Sequence, residues 1–295
     1  MIRAADSRYS LIERCADYRI GGINVSISSE LDDVLGDVAA LYRGYPQGGT
    51  HADGTIRMEV RKVKVRQLRR PRYRIVGDGE EIGRERRRNE VLPFLEWGVN
   101  WRVIATRSEY LQLHSAALVY RGAGCIFAGA SGCGKSTLAA ALLLRGWGYL
   151  GDELALIDPN SLNLQPFPKA LCIKAGSFGL VRRLNMSFAG RRHHVKGFKG
   201  HVGYINPLDV RAHPLGDPAP VRFVIFPKYT EGCKPRLYPV SRARGAFELA
   251  RCALNSNMMG HQAFSILSDL VRGAECYGLE SGPIDSACDL IESLF

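Results

Sequence analysis

Gly124-Cys-Ile-Phe-Ala128 is an apolar run of strand length, and it passes without a linker into Gly129-Ala130-Ser131-Gly132-Cys133-Gly134-Lys135-Ser136. That octapeptide fits G-x-x-x-x-G-K-[ST] at every specified position. Directly behind it, Lys135 to Arg145 alternates at helical spacing, with Leu138 and Leu142 on the inward side and Gly146 as the stop. Strand, glycine-rich loop and helix in this order form a unit whose backbone N–H groups turn inward around phosphate oxygens, with the positive end of the helix behind them. The expected nucleotide-binding residues are Gly129, Ala130, Ser131, Gly132, Cys133, Gly134, Lys135, Ser136 and Thr137. Lys135 is expected to reach the outer phosphates of ATP, and the Ser136 hydroxyl to serve as a ligand of Mg²⁺.

Seventeen residues beyond Lys135, after Gly146-Trp-Gly-Tyr-Leu-Gly151, comes the acidic pair Asp152-Glu153. A strand that follows the loop helix at once can set Asp152 beside the terminal phosphate. There it would bind the metal through water or take a proton from an attacking hydroxyl. A solvated turn is the competing account of the pair. The chain carries neither an LSGGQ-like signature nor an N-K-x-D guanine-reading motif, so transporter and switch readings lose ground.

Upstream, Tyr18–Ser28 alternates apolar and polar residues as one half-buried strand, and Leu31–Tyr42 has helical spacing after Ser28 and Ser29, which could cap it. Arg43–Gly54 reads as a loop. Ile56, Met58 and Val60 then share a face, with Val63 and Val65 following a bulge at Arg61-Lys62. Val91–Trp97 reads as a helix, and Tyr110–Tyr120 as a strand. Residues 57–88 hold thirteen Lys/Arg against five Asp/Glu. This excess reads as the solvated face of an antiparallel sheet, as a dock for an acidic peptide, or as a nucleic-acid surface. The last is disfavoured because no nucleic-acid-binding motif accompanies it.

The 295 residues, 46% hydrophobic and 23% charged, suit one large domain or a main domain with a smaller one, and exclude a mainly disordered chain. A net charge of +11 favours acidic partners such as nucleotides. No apolar run reaches the roughly 20 residues of a membrane span. With no signal-like N-terminus either, a cytoplasmic address is expected. The eight cysteines lack zinc-site or disulfide-framework spacing. Asn185–Tyr204 is basic, glycine-rich and aromatic, suiting either a lid over an anionic substrate or a plain exposed loop. His193-His194 has no partners at metal-ligand spacing. Lys169 and Lys174, after Pro166-Phe-Pro168, read by default as exposed lysines, with phosphate or substrate contact as the alternative. Oxidation of Cys133 would block the loop. Three C-terminal helices are expected within Ala246–Ala253, Gln262–Val271 and Pro283–Leu294.

Taken together, Leu113-His114, the loop Gly129–Thr137, Gly146–Glu153, Pro166-Phe-Pro168, Phe226-Pro-Lys-Tyr229 and Asn255-Ser-Asn257 resemble the catalytic domain of HPr kinase/phosphorylase. The chain is more similar still to the shorter HprK-related kinases, some of which tailor lasso-peptide precursors. On the residues alone His114 reads as a core histidine. The resemblance instead implies that His114 and Asp152 flank the transferred phosphoryl group, with Asp152 accepting the seryl proton and His114 setting its charge state. It also implies catalytic work for Lys135 and metal binding by Ser136, Asp152 and Glu153, with Glu153 where an aspartate is usual. The long arginine loop of the phosphorylase reaction is not recognisable, so neither HPr as substrate nor the reverse reaction nor a hexamer is carried over.

The expectation is therefore an α/β protein with a P-loop kinase core of the HPr kinase and phosphoenolpyruvate carboxykinase type (101–295) behind a strand-rich basic subdomain (1–100). It would transfer phosphoryl groups from Mg²⁺-ATP to a serine of a peptide, an acidic or lasso-type precursor in the leading version. A small-metabolite kinase and an ATP-binding sensor without transfer activity are the rivals. Nucleic acid and membrane are not expected as partners, and self-association is left open.

Overall fold

The computed structural model describes residues 14–49, 52–63, 72–190 and 193–295. Its first element is a hairpin in place of the single strand expected over Tyr18–Ser28. Strands β1 (Arg14–Ile20) and β2 (Ile23–Ser29) pair antiparallel across Gly21-Gly22. Gly21 has φ +59°, and a Cβ there would lie 2.0 Å from the Pro166 carbonyl oxygen, so the turn and the close approach both require glycine. Helix α1 (Asp32–Leu41) buries Val34, Val38 and Leu41 and carries the chain to β3 (Ile56–Val63), which runs parallel to β2. Ser29 does not cap the helix as expected. Its hydroxyl accepts from the Leu31 N–H at 3.1 Å and donates to the Val60 carbonyl at 2.7 Å, tying the helix start to β3.

Ile56, Met58 and Val60 point inward as the alternation requires. The bulge expected at Arg61-Lys62 is absent: β3 pairs in continuous register with β4 (Arg72–Gly77). The irregular step falls instead at Ile75/Val76, where β4 meets β5 (Glu80–Glu85). Val65, with the rest of 64–71, lies outside the described residues. Within the basic stretch, Arg61 pairs with Glu59, Arg74 and Arg84 with Glu81, and Arg88 with Asp33 and Asp37. Helix α2 (Arg88–Thr106), longer than expected, lays Val91, Leu95, Val99 and Val103 into the core over this sheet. Position 100 falls inside α2, and the same core takes in Leu154, Leu156 and Phe167.

The expected strand Tyr110–Tyr120 is two strands, β6 (Leu111–Leu113) and β7 (Ser115–Tyr120). They part at His114, whose backbone N–H donates to the Cys252 carbonyl at 2.8 Å. Next come β8 (Ala123–Ala128), α3 (Lys135–Leu144), β9 (Gly148–Gly151), β10 (Ala155–Ile157) and β11 (Asn163–Gln165). A small sheet in the order β12-β14-β13 follows, built from β12 (Leu171–Lys174), β13 (His194–Val195) and β14 (His201–Ile205), with α4 (Phe178–Arg183) between its first two strands. Asn185–Tyr204 is therefore not one open loop, since β13 and most of β14 lie in it; Arg191 and Arg192 are outside the described residues.

The chain closes with β15 (Ala219–Tyr229), β16 (Arg236–Pro239), α5 (Arg242–Ala250), α6 (Ser256–Met259), α7 (His261–Gly273), β17 (Glu275–Ser281) and α8 (Ile284–Glu292). The large sheet runs β6-β10-β11-β15-β8-β7-β9, with β17 and then β16 beside β15. At its centre β8, β15 and β17 are parallel. Cys125 and Phe127 of β8 share a core with α3 and α8, while Ile126 and Ala128 share one with α5 and α7. This is the period-two alternation of a strand covered on both faces. Among the described residues no helix is long and apolar enough to cross a membrane.

Candidate active site

The chain leaves the end of β8 through Gly129 and enters α3 at Lys135. Gly132 (φ +92°) and Gly134 (φ +107°) take the left-handed backbone that lets the loop curl onto the helix start, a geometry that a Cβ would strain. Not all of the expected loop residues face outward. Ser131, Gly132, Gly134, Lys135, Ser136 and Thr137 line a cleft with about 660 Å³ of empty space. Gly129 and Ala130 turn their carbonyls to the Lys135 ammonium at 2.6 and 3.0 Å, and the Cys133 carbonyl accepts from the Tyr229 N–H at 3.2 Å. These three residues shape the loop rather than line the cleft. Lys174 also lines it and donates to the Ser131 hydroxyl at 3.1 Å.

The opposite wall is the turn after β9. Asp152 and Glu153 line the same cleft, and so does His114 from the break between β6 and β7. Three separate stretches of sequence thus bring His114, Lys135, Ser136, Asp152 and Glu153 to one place. Asp152 is 4% exposed, and no donor completes an ordinary hydrogen bond to either of its carboxylate oxygens. Burial, and then the neighbouring Glu153 charge, lift its pKa from 3.8 to about 6, against weaker opposing pulls from the Ser136 hydroxyl, Lys135 and the Glu153 N–H. With only these weak contacts to the protein, the buried carboxylate keeps acceptor capacity free for something in the cleft.

Glu153 has the opposite fate. Burial would raise its pKa, but Lys196, Lys169 and Lys199 outweigh it and hold the carboxyl down at about 2. Its Oε1 accepts from Lys196 at 2.7 Å and its Oε2 from Asn100 at 3.3 Å. Its backbone sits at φ +68°, a costly conformation for a non-glycine residue. That conformation belongs to the turn whose carbonyl faces His114 Nδ1 at 3.0 Å. A carbonyl only accepts, so Nδ1 carries the proton and neutral His114 keeps its lone pair on Nε2. Burial, then Lys135, lower the His114 pKa, which keeps the ring neutral near pH 7.

Lys169 corrects the default expectation of an exposed lysine. It is 3% exposed, and its ammonium donates to the Glu96 carbonyl at 2.7 Å, to Asn100 Oδ1 at 2.9 Å and to the Glu96 carboxylate at 3.0 Å. The Tyr42 hydroxyl closes the group on Glu96 at 2.8 and 3.0 Å. Asn100 passes this buried network on to Glu153. Asn255 anchors the other flank: its Oδ1 accepts from the Gln112 N–H at 3.0 Å and its amide donates to the Tyr110 carbonyl at 2.8 Å, holding β6 just before His114. Sequence reading missed Asn100, Glu96 and the cleft-lining Lys196 and Lys199. The only signal for the two lysines was the basic character of Asn185–Tyr204.

On the far side of the loop a second hollow, about 1,380 Å³ with its open mouth, shares Gly132, Gly134, Thr137 and Ser177 with the cleft. It is otherwise bounded by residues such as Leu180, Arg183, Tyr229 and Ile284.

No family model matches the chain, and no curated protein matches it. Among solved structures it is similar to the Hpr(Ser) kinase/phosphatase from Coxiella burnetii, at 15% identity and a TM-score of 0.30, over 62% of this chain and 87% of that one. At that score the likeness assigns no activity; the site's own geometry has to carry the reading.

Proposed function

We propose that the protein is an ATP-dependent phosphotransferase in which Asp152 is the base that deprotonates a hydroxyl acceptor. The observation that carries this reading is the buried Asp152 carboxylate, without a hydrogen-bond partner, in the cleft that the glycine-rich loop and Lys135 also line. A base with a pKa of about 6 is ionised at pH 7 yet still basic enough to take a proton in the transition state. As the acceptor oxygen attacks the γ-phosphorus, its proton passes to Asp152. The new O–P bond forms while the bond to the bridging oxygen breaks and ADP departs. The acceptor's single proton is left to Asp152, and neutral His114, which lines the same cleft, helps set the charge state of that carboxyl, as the resemblance suggests. Lys135 exchanges the Gly129 and Ala130 carbonyls for phosphate oxygens. The nucleoside occupies the larger hollow beyond the loop.

The Ser136 hydroxyl directly, and the Asp152 carboxylate through water, fit Mg²⁺, a hard cation that takes one or two protein oxygens and completes its shell with phosphate and water. When bound, Mg²⁺ would offset the negative charge that develops on the transferred phosphoryl group. Glu153 joins such a site only by giving up Lys196 or Asn100. Among the described residues no group of three or more acidic, histidine or cysteine side chains forms a closed metal cage.

Within this reading the acceptor is a peptide serine, and a ribosomally made, lasso-type precursor is the candidate that the resemblance suggests. Intact-mass spectrometry of precursor peptides incubated with protein, Mg²⁺ and ATP tests it. A gain of about 80 Da per phosphoryl group, lost in Asp152→Asn while ATP binding persists, is the expected result. ATP binding with no mass gain on any peptide shifts the reading to a metabolite kinase or a sensor.

A further inference from the structure

Beside the cleft lies a second groove, with about 820 Å³ of empty space, whose floor is α2 and whose far wall is the 195–199 turn. Lys196 and Lys199 line both hollows, so the groove adjoins the cleft, and it shares no lining residue with the larger hollow. Its floor is apolar and aromatic. Phe94 and Trp97 lie 5.1 Å apart, Trp97 stacks on Trp101 at 6.3 Å, and Trp97 is 42% exposed. Its outer end is acidic: Glu85, the last residue of β5, faces Glu90 in the first turn of α2. Among the described residues neither carboxylate forms an ion pair, although arginines are plentiful in the neighbouring sequence. Burial, and then the charge of Glu90, push the Glu85 carboxyl up to about 7, as expected of two acids that lack a cation between them.

We propose that this groove binds the acceptor peptide, taking a Lys or Arg side chain close in sequence to the phosphorylated serine, with its stem on Trp97 and its cation between Glu85 and Glu90. The assignment of the bound peptide as acceptor rests on the phosphotransferase reading above. Three features select this occupant. Two neighbouring carboxylates that line one groove with an exposed indole are complementary to a cation on an apolar stem, through ion pairing and cation–π attraction together. The groove joins the cleft at Lys196 and Lys199, so a chain lying in it leads a neighbouring residue toward Asp152. Its volume falls in the range of sites that hold a few side chains or a small ligand. A basic recognition element also reverses the expectation of an acidic peptide, which drew on the 57–88 stretch. Four arginines of that stretch are paired with carboxylates of the protein itself.

The test uses the full chain and two pools of labelled synthetic peptides, each with a fixed serine and otherwise random neutral residues. One pool carries Arg within three positions of the serine, and the other carries Glu there. Binding is read by fluorescence anisotropy, and transfer from ATP is read in parallel. The Arg pool should bind about tenfold tighter or better. Glu85→Gln with Glu90→Gln should erase that preference while the urea-unfolding midpoint shows the variant folded; glutamine at position 90 keeps the helix-capping geometry. Equal binding of the two pools, preference for the Glu pool, or preference that survives the double variant overturns the proposal. So does binding of arginine amide as tight as that of the Arg pool, which would mark a small-cation site. Arg-selective binding without transfer upholds the groove and sinks the phosphotransferase reading; transfer without Arg selectivity does the reverse.

Discussion

Glu96 and Asp152 are both carboxylates that the fold takes almost wholly out of water, at 3% and 4% exposure. Glu96 is fully provided for: Lys169 pairs with it and the Tyr42 hydroxyl bonds it. Asp152 is given no hydrogen-bond partner, a raised pKa and an acidic neighbour. One buried acid is built into the structure, and the other is held against its preference. Proteins keep unsatisfied buried charge where a ligand or a reaction uses it, and this contrast is what supports the role proposed for Asp152. Asn100 links the Glu96 group to Glu153, the residue after Asp152, with Lys169 on its oxygen and Glu153 on its nitrogen.

The contrast breaks most sharply at Asp152. Asp152→Asn should lower kcat/KM for transfer by about 10³-fold. The same change should make the protein more stable at pH 7. The folded pKa of about 6 lies above the usual 3.8, so the folded state binds the proton more tightly and loses stability as pH rises from about 4 to about 6. Removing the charge returns on the order of 2 kcal/mol, read by urea unfolding of both proteins. Lys169→Met should act in the opposite sense. It leaves Glu96 charged and alone, at a cost of about 3 kcal/mol, and pairing it with Glu96→Gln should restore most of that loss.

Next in size is the pH profile. Transfer by the wild type should fall about fivefold between pH 6 and pH 5 as Asp152 takes up its proton, with a plateau above pH 7. A profile flat across that range would place the base elsewhere. The smallest effect is expected at Asn255→Ala, which releases two backbone partners on the strand before His114 at about 1–2 kcal/mol of stability; a loss in kcat beyond the stability change would mark His114 as displaced.

Which parts of this were legible follows from how local their causes are. The loop and α3 were readable because strand, glycines and helix are contiguous, and Asp152 because one short strand separates it from that helix. His114 was not readable from pattern. It sits in a break between strands set by Cys252, far along the chain, and only the family resemblance singled it out. Lys169 was misread because its burial depends on Glu96, Asn100 and the packing around Tyr42, which no periodicity near residue 169 reports. The hairpin at Gly21-Gly22 was a different failure: alternation continued through the turn and masked a glycine pair that itself signals one.

The most direct test of the account is the titration of the Asp152 carboxyl itself, followed by ¹³C NMR on aspartate-labelled protein with Asp152→Asn to assign the resonance. A midpoint near 6 is predicted, as befits a buried acid kept free for an acceptor's proton. A midpoint in the ordinary aspartate range, near 3.8, would show Asp152 to be satisfied within the fold and would remove it as the base.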